Sequence, residues 1–271
     1  MQPPIGLIAG EGKFPFIFAE ETAKRKRDLV VIALKEEMNY DLSSYARAIH
    51  TISVAKLDQI IQTLKKEGVK QAVMAGRVKH TKLFSELVPD LRAAALLFKV
   101  KDRRADSVLA AVAAEMKKDG IELLPSTTFL EHLIPQKGYL TKKKLDSAEE
   151  KNVEFGIQIA QGLTALDIGQ TVIVKRRTVV AVEAMEGTDA CIRRAASIAG
   201  DNVIVVKSAK PQQDLRFDVP VIGTNTIKVM GESKARVLAI QAGKTLMLEK
   251  DFCVKMAENL GITIYVWEKN R

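Results

Sequence analysis

The stretch IGLIAGEGKFPFIFAEETAKRKRDLVVIAL, residues 5–34, carries the pattern that decides the fold. Its first six and last six residues are apolar, which is typical of strands buried on both faces of a parallel sheet. Between these strands, a turn at EGK leads into helical sequence over residues 14–27. A strand, a helix and a second strand of this kind predict a parallel sheet covered by helices.

The same alternation continues toward residue 135. A predicted helix over residues 57–68 precedes a predicted strand over 71–76, and helical sequence over 83–118 precedes a short strand over 121–125. Because these strands are apolar throughout, we expect the first domain to be Rossmann-like with a mainly parallel sheet.

A charged segment with Pro and Gly, PQKGYLTKKKLDSAEEK at residues 135–151, separates this series from a second one. Linkers between domains often have such a composition. We predict two α/β domains, with an N-terminal Rossmann-like domain over 1–135, a linker over 136–150 and a C-terminal catalytic domain over 151–271. The second domain is predicted to contain, in order, a helix at 155–167, a strand at 171–175, a hairpin at 175–178, a strand at 179–185, a helix from Asp189 and a strand at 202–207.

Composition excludes several classes of protein. Hydrophobic residues make up 47% of the chain and charged residues 28%, as in a globular protein. Aromatic residues are scarce at 5%, which argues against a nucleic-acid reader that stacks bases. Cys191 and Cys253 are too far apart for a zinc motif or a disulfide framework, so a reducing cytoplasm fits best. No apolar run reaches the ~18 residues of a membrane span.

The net charge of +9 lies mostly in the first half of the chain. Residues 1–146 carry 25 Lys and Arg against 18 Asp and Glu, whereas residues 147–271 carry 17 against 15. A basic surface suits polyphosphate ligands, an anionic membrane or nucleic acid. A non-enzymatic protein that binds polyanions is therefore one open alternative.

The segment KPQQDLRFDVPVIGTNT, residues 210–226, concentrates charge beside an apolar run. In an extended strand Asp214, Arg216 and Asp218 would share one face, because alternate side chains point the same way. Two carboxylates can hold a divalent metal, and a guanidinium can grip a phosphate in a bidentate fork. The alternative is an edge strand with a solvated face and an internal ion pair.

Two glycine turns follow predicted strands of the first domain. Gly10 and Gly12 lie where a strand gives way to a helix, and backbone N–H groups there favour a phosphate. Gly76 ends another strand, at the side of the sheet where ligands bind. A dinucleotide-binding oxidoreductase is a second alternative, but Pro15 stands where a third glycine is needed. A plain tight turn explains the glycines equally well.

The segment EAMEGTDACIRRAASIAG, residues 183–200, ends a strand, turns at Gly187 and starts a helix at Thr188 or Asp189. Its three acids, Glu183, Glu186 and Asp189, lie near one strand end. Grouping carboxylates there costs free energy unless a cation or hydrogen-bond donors compensate their charge. With Asp214 and Asp218 from the next strand, five carboxylates would converge as in a hydrolytic metal site.

These segments together resemble the LpxI type of UDP-2,3-diacylglucosamine pyrophosphatase, a lipid A pathway enzyme, over nearly the whole chain. The resemblance rests on the order and spacing of IGLIAGEGKFP (5–15), AGRVKH (75–80), GYLT (138–141), LDIGQTVIV (166–174), EAMEGTDA (183–190), KPQQDLRFDVPVIGTNTI (210–227) and QAGKTLMLEK (241–250). It implies two α/β domains flanking an active-site cleft and a requirement for Mg²⁺ or another divalent cation. The implied reaction is attack of water on the sugar-linked phosphorus, which yields UMP and 2,3-diacylglucosamine 1-phosphate.

The residues and the resemblance together define an expected site. Asp214 and Asp218 are the expected metal ligands and catalytic carboxylates, with Glu186 and Asp189 in supporting catalytic roles. The expected substrate contacts are glycines, hydroxyls and cations: Gly10, Gly12, Gly76, Thr127, Gly187, Thr188, Lys210, Arg216, Gly223 and Thr224.

The implied substrate also sets expectations for partners and location. A two-chain lipid substrate and a basic first half predict a cytoplasmic protein at the inner face of the inner membrane, with peripheral association and no nucleic-acid partner. The apolar run at residues 86–100 is a candidate lining for acyl chains, although core packing is the default explanation. The sequence leaves the oligomeric state open, a homodimer included.

Overall fold

The computed structural model describes residues 2–35, 37, 40–78, 88–100 and 104–268. The chain divides into two compact units. The first unit comprises residues 1–130 together with Asp214–Asp218, and the second comprises Glu131–Gln213 and Val219–Arg271.

The first unit is built on a five-stranded parallel sheet with the order β3-β2-β1-β4-β5. Its strands are β1 (Ile5–Ala9), β2 (Leu29–Leu34), β3 (Ala48–Ile52), β4 (Gln71–Ala75) and β5 (Glu122–Leu123). Every residue of β1 and β2 is buried. The chain turns to one side of β1 for β2 and to the other for β4, so the topological switch point lies between β1 and β4.

Four described helices belong to this unit: α1 (Phe14–Lys24), α2 (Leu57–Lys66), α3 (Leu91–Lys99) and α4 (Ala105–Lys118). Helix α2 buries Leu57, Ile60, Ile61 and Leu64, the apolar spacing that turns one helix face to a sheet. Helix α3 begins at the N-cap Asp90, whose carboxylate accepts the Ala93 N–H at 2.8 Å.

The predicted fold class is confirmed in this unit. The apolar strands and the helices at 14–27 and 57–68 are present with small differences at their ends. The predicted helical stretch 83–118 holds two helices, and its residues 83–87 and 101–103 lie outside the described residues. Strand β3, AIHTI, was not predicted, because an edge strand with mostly half-buried residues lacks a continuous apolar run.

The second unit is built on a six-stranded mixed sheet with the order β6-β13-β11-β9-β7-β8. Its strands are β6 (Gly138–Tyr139), β7 (Thr171–Lys175), β8 (Thr178–Val182), β9 (Ile204–Lys207), β11 (Val237–Gln241) and β13 (Thr263–Trp267). Strands β9, β11 and β13 run parallel, while β7 runs antiparallel to both β8 and β9. The short strands β10 (Val221–Ile222) and β12 (Leu246–Met247) form a separate parallel pair.

The helices of this unit are α5 (Ser147–Ala165), α6 (Thr188–Ala199), α7 (Thr224–Glu232) and α8 (Lys250–Asn259). A capping box at Asp146 and Glu149 starts α5 eight residues before its predicted beginning. The predicted hairpin is confirmed, with Arg176 and Arg177 at φ values of 50° and 54° between β7 and β8. Buried side chains pack on both faces of the sheet, such as Val205 on one and Val206 on the other.

The unit boundaries differ from the predicted domains in two places. The predicted linker 136–150 belongs to the second unit, where β6 pairs with β13 and α5 begins at Ser147. Residues 214–218 belong to the first unit, although they lie within the predicted catalytic domain.

The prediction of an extended strand at Asp214–Asp218 is wrong. These residues form a turn, in which the Asp218 N–H donates to the Asp214 carbonyl at 3.0 Å. The Asp214 carboxylate also accepts the Arg216 N–H at 3.1 Å. An Asp that bonds to the backbone two residues on favours a turn over a strand, whatever the alternation of charged and apolar residues.

Candidate active site

The predicted glycine turns of the first unit cross each other at the carboxyl ends of β1 and β4. The Gly10 N–H donates to the Ala75 carbonyl at 2.9 Å. Glu11 and Arg77 then exchange two backbone hydrogen bonds of 2.8 and 2.9 Å, and their side chains form an ion pair at 3.3 Å. The two loops are therefore joined at the topological switch point, where ligands bind in sheets of this type.

Steric requirements explain two of these glycines. A Cβ at Gly10 would lie 2.7 Å from the Arg77 carbonyl oxygen, and a Cβ at Gly76 would lie 2.7 Å from the Gly10 carbonyl carbon. Gly76 also has a φ of 93°. Both positions therefore need glycine for the crossing itself.

Gly12 differs, because a Cβ there would have no atom within 4 Å. Its φ of 100° is what requires glycine. The next residue, Lys13, is the N-cap of α1 and makes no side-chain capping bond. The N-cap residue of α1 therefore supplies no capping side chain, and helix N-termini favour anions.

The turn at 214–218 presents a charged pair. Arg216 Nε lies 2.9 Å from Asp214 Oδ1, and Arg216 Nη2 lies 2.6 Å from Asp214 Oδ2. This bidentate contact with the guanidinium lowers the pKa of Asp214 and raises that of Arg216. Asp214 is therefore a stable anion at neutral pH and a weak base, suited to charge pairing or cation binding more than to accepting a proton.

Ser126, which the sequence reasoning missed, anchors this turn to the first sheet. Its N–H donates to the Leu215 carbonyl at 2.7 Å, and its hydroxyl lies 2.6 Å from the Met74 carbonyl oxygen and 2.7 Å from that of Arg216. Phe217 packs against the core of the first unit. The turn is thus fixed beside β4 by a buried serine. Its local sequence, PSTT at residues 125–128, is an ordinary loop composition that does not predict this role.

Thr127 lies next to this anchor and is 8% exposed. Its carbonyl accepts the Leu130 N–H at 2.8 Å. The first unit therefore brings together the glycine turns, Thr127 and the charged turn at 214–218. Lys79 and His80 of the AGRVKH block lie outside the described residues.

A cluster of many carboxylates is not formed. Among the residues that the structure describes, no three His, Cys, Asp or Glu side chains are grouped so that they could hold a metal ion. Asp214 and Asp218 belong to the first unit, and Glu183, Glu186 and Asp189 belong to the second. Asp214 and Asp218 remain a pair of hard oxygen donors on one turn, a set that fits Mg²⁺ completed by phosphate oxygens of a ligand.

In the second unit, the predicted turn before α6 is present. Gly187 is the N-cap with a φ of 83° and makes no side-chain capping bond. Glu186 accepts a hydrogen bond from Arg194 at 2.5 Å and another from the Ala184 N–H at 3.0 Å. The contact with Arg194 lowers the pKa of Glu186. This carboxylate therefore stabilises the turn.

Asp189 connects the starts of two helices. Its carboxylate accepts hydrogen bonds from Asn225 and, at 2.9 Å, from the Thr226 hydroxyl. These residues lie in the first turn of α7, whose N-cap is Gly223 and whose first residue is Thr224. Two helices that start with Gly-Thr therefore lie next to each other, and both glycine N-caps leave N–H groups without a side-chain cap.

Lys210, a predicted phosphate contact, forms an ion pair with Asp167 at 2.7 Å. Its backbone N–H donates to Gln213 Oε1 at 2.7 Å. The structure thus places this lysine in a local network of the second unit.

A buried lysine at the end of β9 was also missed. Lys207 is 5% exposed and donates to the hydroxyls of Thr188 at 2.9 Å and Thr171 at 3.3 Å. Thr188 in turn donates to Glu183 Oε1 at 2.8 Å. The only sequence signal was a lysine closing an apolar strand, NVIVVK.

Family models match almost the entire chain. The LpxI N-terminal domain matches residues 4–133, and the LpxI C-terminal domain matches residues 136–265. The chain belongs to the LpxI family. A relative from Caulobacter vibrioides, named UDP-2,3-diacylglucosamine pyrophosphatase LpxI, is 29% identical and aligns over 96% of each chain. The predicted family is confirmed, and apart from residues 214–218 the two matched LpxI domains correspond to the two α/β units.

Solved structures of other families are much more distant. A biotin carboxylase subunit of pyruvate carboxylase covers 73% of this LpxI chain and 43% of its own at 15% identity, with a TM-score of 0.28. The N5-carboxyaminoimidazole ribonucleotide synthetase of Thermotoga maritima aligns at 14% identity with a TM-score of 0.27. The LpxI chain spans less than half the length of these proteins, and likeness at this level supports no functional inference.

Proposed function

We propose that this protein hydrolyses the diphosphate of UDP-2,3-diacylglucosamine. Water attacks the sugar-linked phosphorus, the bond from that phosphorus to the bridging oxygen breaks, and UMP leaves while 2,3-diacylglucosamine 1-phosphate is formed. The family and the name of the relative support the substrate and the reaction class. The observation in this chain that carries the proposal is the turn at 214–218, which fixes two carboxylates and an arginine beside a sheet switch point.

The first unit supplies the charges that the reaction needs. Arg216 binds a phosphate oxygen, because its guanidinium is always charged and its donors match phosphate geometry. Asp214 orients that guanidinium through its bidentate contact. The N–H groups after Gly12 bind a second phosphate oxygen at the α1 N-terminus. Placing these donors before the reaction stabilises negative charge without reorganisation at the transition state.

Mg²⁺ is the proposed cofactor, held by Asp214, Asp218 and oxygens of the substrate diphosphate. The donor set supports this choice, because Mg²⁺ is usually bound by one or two carboxylates together with substrate phosphates. Bound there, the ion would supply Lewis-acid neutralisation of the diphosphate. The protein's own part is to place both carboxylates on one turn and, through Arg216, to keep Asp214 ionised.

The second unit is proposed to contact the substrate at the turns before α6 and α7. Gly187, Thr188, Gly223 and Thr224 offer backbone N–H and hydroxyl donors suited to an anion or to hydroxyl groups. Glu186 and Asp189 support these turns through Arg194 and through α7, respectively. To contact a phosphate, as predicted, Lys210 would have to give up its ion pair with Asp167.

The direct test is product analysis. Purified protein incubated with UDP-2,3-diacylglucosamine and MgCl₂ should release UMP and the acylated sugar 1-phosphate in equal amounts. Hydrolysis in ¹⁸O-labelled water should place the label in the sugar phosphate, because the sugar-linked phosphorus is attacked. Label in UMP would contradict the site of attack. No UMP, with salt-sensitive binding of polyanions instead, would favour the non-enzymatic alternative.

The oxidoreductase alternative loses its support in the geometry of the glycine turns. Gly10 and Gly76 are required by the crossing of two backbones, whether or not a dinucleotide binds. With Pro15 in the first turn of α1, the third glycine of a dinucleotide motif is absent as well.

Peripheral association with an anionic membrane is the remaining part of the proposal, and helix α3 supports it. Leu91 and Phe98 are each 92% exposed, and the alanines between them on the same face are exposed too. Arg92 points inward, where it pairs with Asp58 and Glu115 at 3.2 and 3.0 Å. Helix α3 buries Ala93 and Leu96 on its inner side, so it has apolar residues on two faces, and an exposed apolar face is unusual for a surface in water.

Charge favours an anionic lipid surface as the occupant of this face. The sequence KVKDRR at residues 99–104, directly after the helix core, carries four basic residues and one acid. A second copy would bring two such basic segments together, whereas anionic headgroups attract them. Within the described part of the chain, no helix is both long and apolar enough to cross a membrane.

We expect the variant Leu91→Ser/Phe98→Ser to lose vesicle binding. Burial of a leucine and a phenylalanine is worth roughly 3–5 kcal/mol, so the partition coefficient should fall at least ~100-fold. Co-sedimentation with phosphatidylglycerol-containing vesicles measures it, with neutral vesicles for comparison. Leu166→Ser/Ile198→Ser, at positions 72% and 64% exposed, is the matched control and should bind like the unchanged protein. If the α3 variant binds vesicles as well as the unchanged protein, the membrane contact lies elsewhere on the protein. If the unchanged protein is a dimer and the α3 variant is a monomer, a second copy of the chain occupies this face.

A further inference from the structure

The buried Lys207 network lies at one end of the second sheet. Because β7 runs antiparallel to β9, Thr171 at the start of β7 is opposite Lys207 at the end of β9. Glu183, directly after β8, reaches the same end, and its N–H donates to the Thr171 carbonyl at 2.9 Å. Thr188, the first residue of α6, completes the group. Carboxyl ends of strands are where open α/β sheets bind ligands.

The Thr188 hydroxyl links the ammonium group of Lys207 to the carboxylate of Glu183. Lys207 Nζ donates to Thr188 Oγ1 at 2.9 Å, and Thr188 Oγ1 donates to Glu183 Oε1 at 2.8 Å. The direct contact of Lys207 Nζ with Glu183 Oε2 is longer, at 3.8 Å, with side chains 6% and 12% exposed. Thr188 therefore bridges the buried ion pair, and this fixes both the direction of its proton and its rotamer.

A buried ion pair of this kind is a weak source of stability. Desolvation of the ammonium and the carboxylate offsets much of their attraction, and apolar residues often replace such pairs without loss. What the pair does provide is a single orientation for the residue that bridges it. That residue lies at the start of α6, directly after Gly187, whose φ of 83° sets the direction of the helix's first N–H groups.

We propose that Lys207 is a positioning residue for substrate binding: with Glu183 it holds Thr188, and through it the Gly187–Asp189 turn, in the geometry that receives the substrate. The inference rests on the proposed function, since the same turn is one of the proposed substrate contacts. Lys207 does not touch the reacting atoms in this account. Its effect is on the binding of substrate through Thr188.

A double variant separates positioning from stability. Lys207→Met alone leaves Glu183 buried without its cation and should lower the melting temperature as well as activity. Lys207→Met/Glu183→Gln removes both charges, so we expect its melting temperature to return close to that of the unchanged protein. Its KM for UDP-2,3-diacylglucosamine should nevertheless stay at least ~10-fold raised, with kcat changed less than ~3-fold, because a binding geometry is lost and no reacting group is.

Lys175→Met is the matched control, since Lys175 lies at the opposite end of the same sheet and donates to the Ala199 and Asp201 carbonyls at 2.7 Å. It should keep its KM. A double variant with recovered stability and an unchanged KM would overturn the inference and leave the network purely structural. If the double variant fails to recover stability, its KM is compared with that of Thr171→Val, which removes the second hydroxyl that Lys207 contacts, at 3.3 Å, and leaves the Lys207–Thr188–Glu183 bridge in place. A KM raised in the double variant alone would support the inference, and an equal KM in the two variants would overturn it. Failure of the proposed function itself is distinct, because the unchanged protein would then release no UMP.

Discussion

Replacing Asp214 by alanine should lower kcat at least ~100-fold while the protein stays folded, because a group that organises charge around the diphosphate is lost. Asp218→Ala should have a similar effect. Both carboxylates lie on the turn that Ser126 ties to β4, so the backbone that carries them is in place before substrate arrives. The pKa of Asp214 is lowered by Arg216, so its charge is present throughout a neutral assay. Initial rates of UMP release at saturating substrate measure the change.

Stability should change little in the same variants. The Asp214 and Arg216 side chains are 34% and 38% exposed, and an ion pair at such a surface is worth about 0–1 kcal/mol. Glu67→Ala is the matched control in the first unit, since Glu67 pairs with Arg47 at 3.0 Å with comparable exposure. That control should keep both its melting temperature and its kcat. Near-normal kcat in Asp214→Ala and Asp218→Ala would make the turn an ordinary surface ion pair.

Continuous apolar runs were the reliable part of the sequence. IGLIA and LVVIAL are buried at every residue, as expected for central strands of a parallel sheet covered on both faces. The same criterion necessarily missed β3, whose AIHTI is half-buried at the sheet edge. Applied to the second unit, this criterion identified no strand after Lys207, so β10 to β13 were not predicted.

The charged turn could not be predicted from alternation alone. Leu215 and Phe217 alternate with charged residues as in a strand, but Asp214 bonds to the Arg216 N–H and the segment closes into a turn. Its partner Ser126 lies 90 residues earlier in the chain. Membership of the first unit follows from that contact and from Phe217, and neither has a local signal.

The Lys207 network was hidden for a related reason. Glu183 was recognised as an acid in need of a cation, but the sequence offers many lysines and no means of choosing among them. Only the antiparallel pairing of β7 with β9 places Lys207 beside Thr171 and Glu183. Long-range register of this kind is the information that a single sequence lacks.

Removal of divalent metal should abolish UMP release, and Mg²⁺ should restore it. The described residues contain no grouping of three or more candidate ligands, so the proposed ion depends on oxygens of the substrate for the rest of its shell. The free protein should therefore bind Mg²⁺ weakly. With a Kd near ~10 mM, 1 mM Mg²⁺ would stabilise the fold by less than ~0.1 kcal/mol, so the melting temperature should not move.

The metal requirement can be connected to the turn by titration. Activity measured against Mg²⁺ concentration after EDTA treatment should reach half its maximum at a higher concentration in Asp218→Asn than in the unchanged protein, because the amide keeps one oxygen donor and loses the charge. EDTA already saturated with Mg²⁺ should leave activity intact, which separates chelation from a direct effect of the chelator. Full turnover in thoroughly chelated protein would remove the cofactor from the proposal, and the charge of the diphosphate would then have to be met by Arg216 and the backbone N–H groups alone.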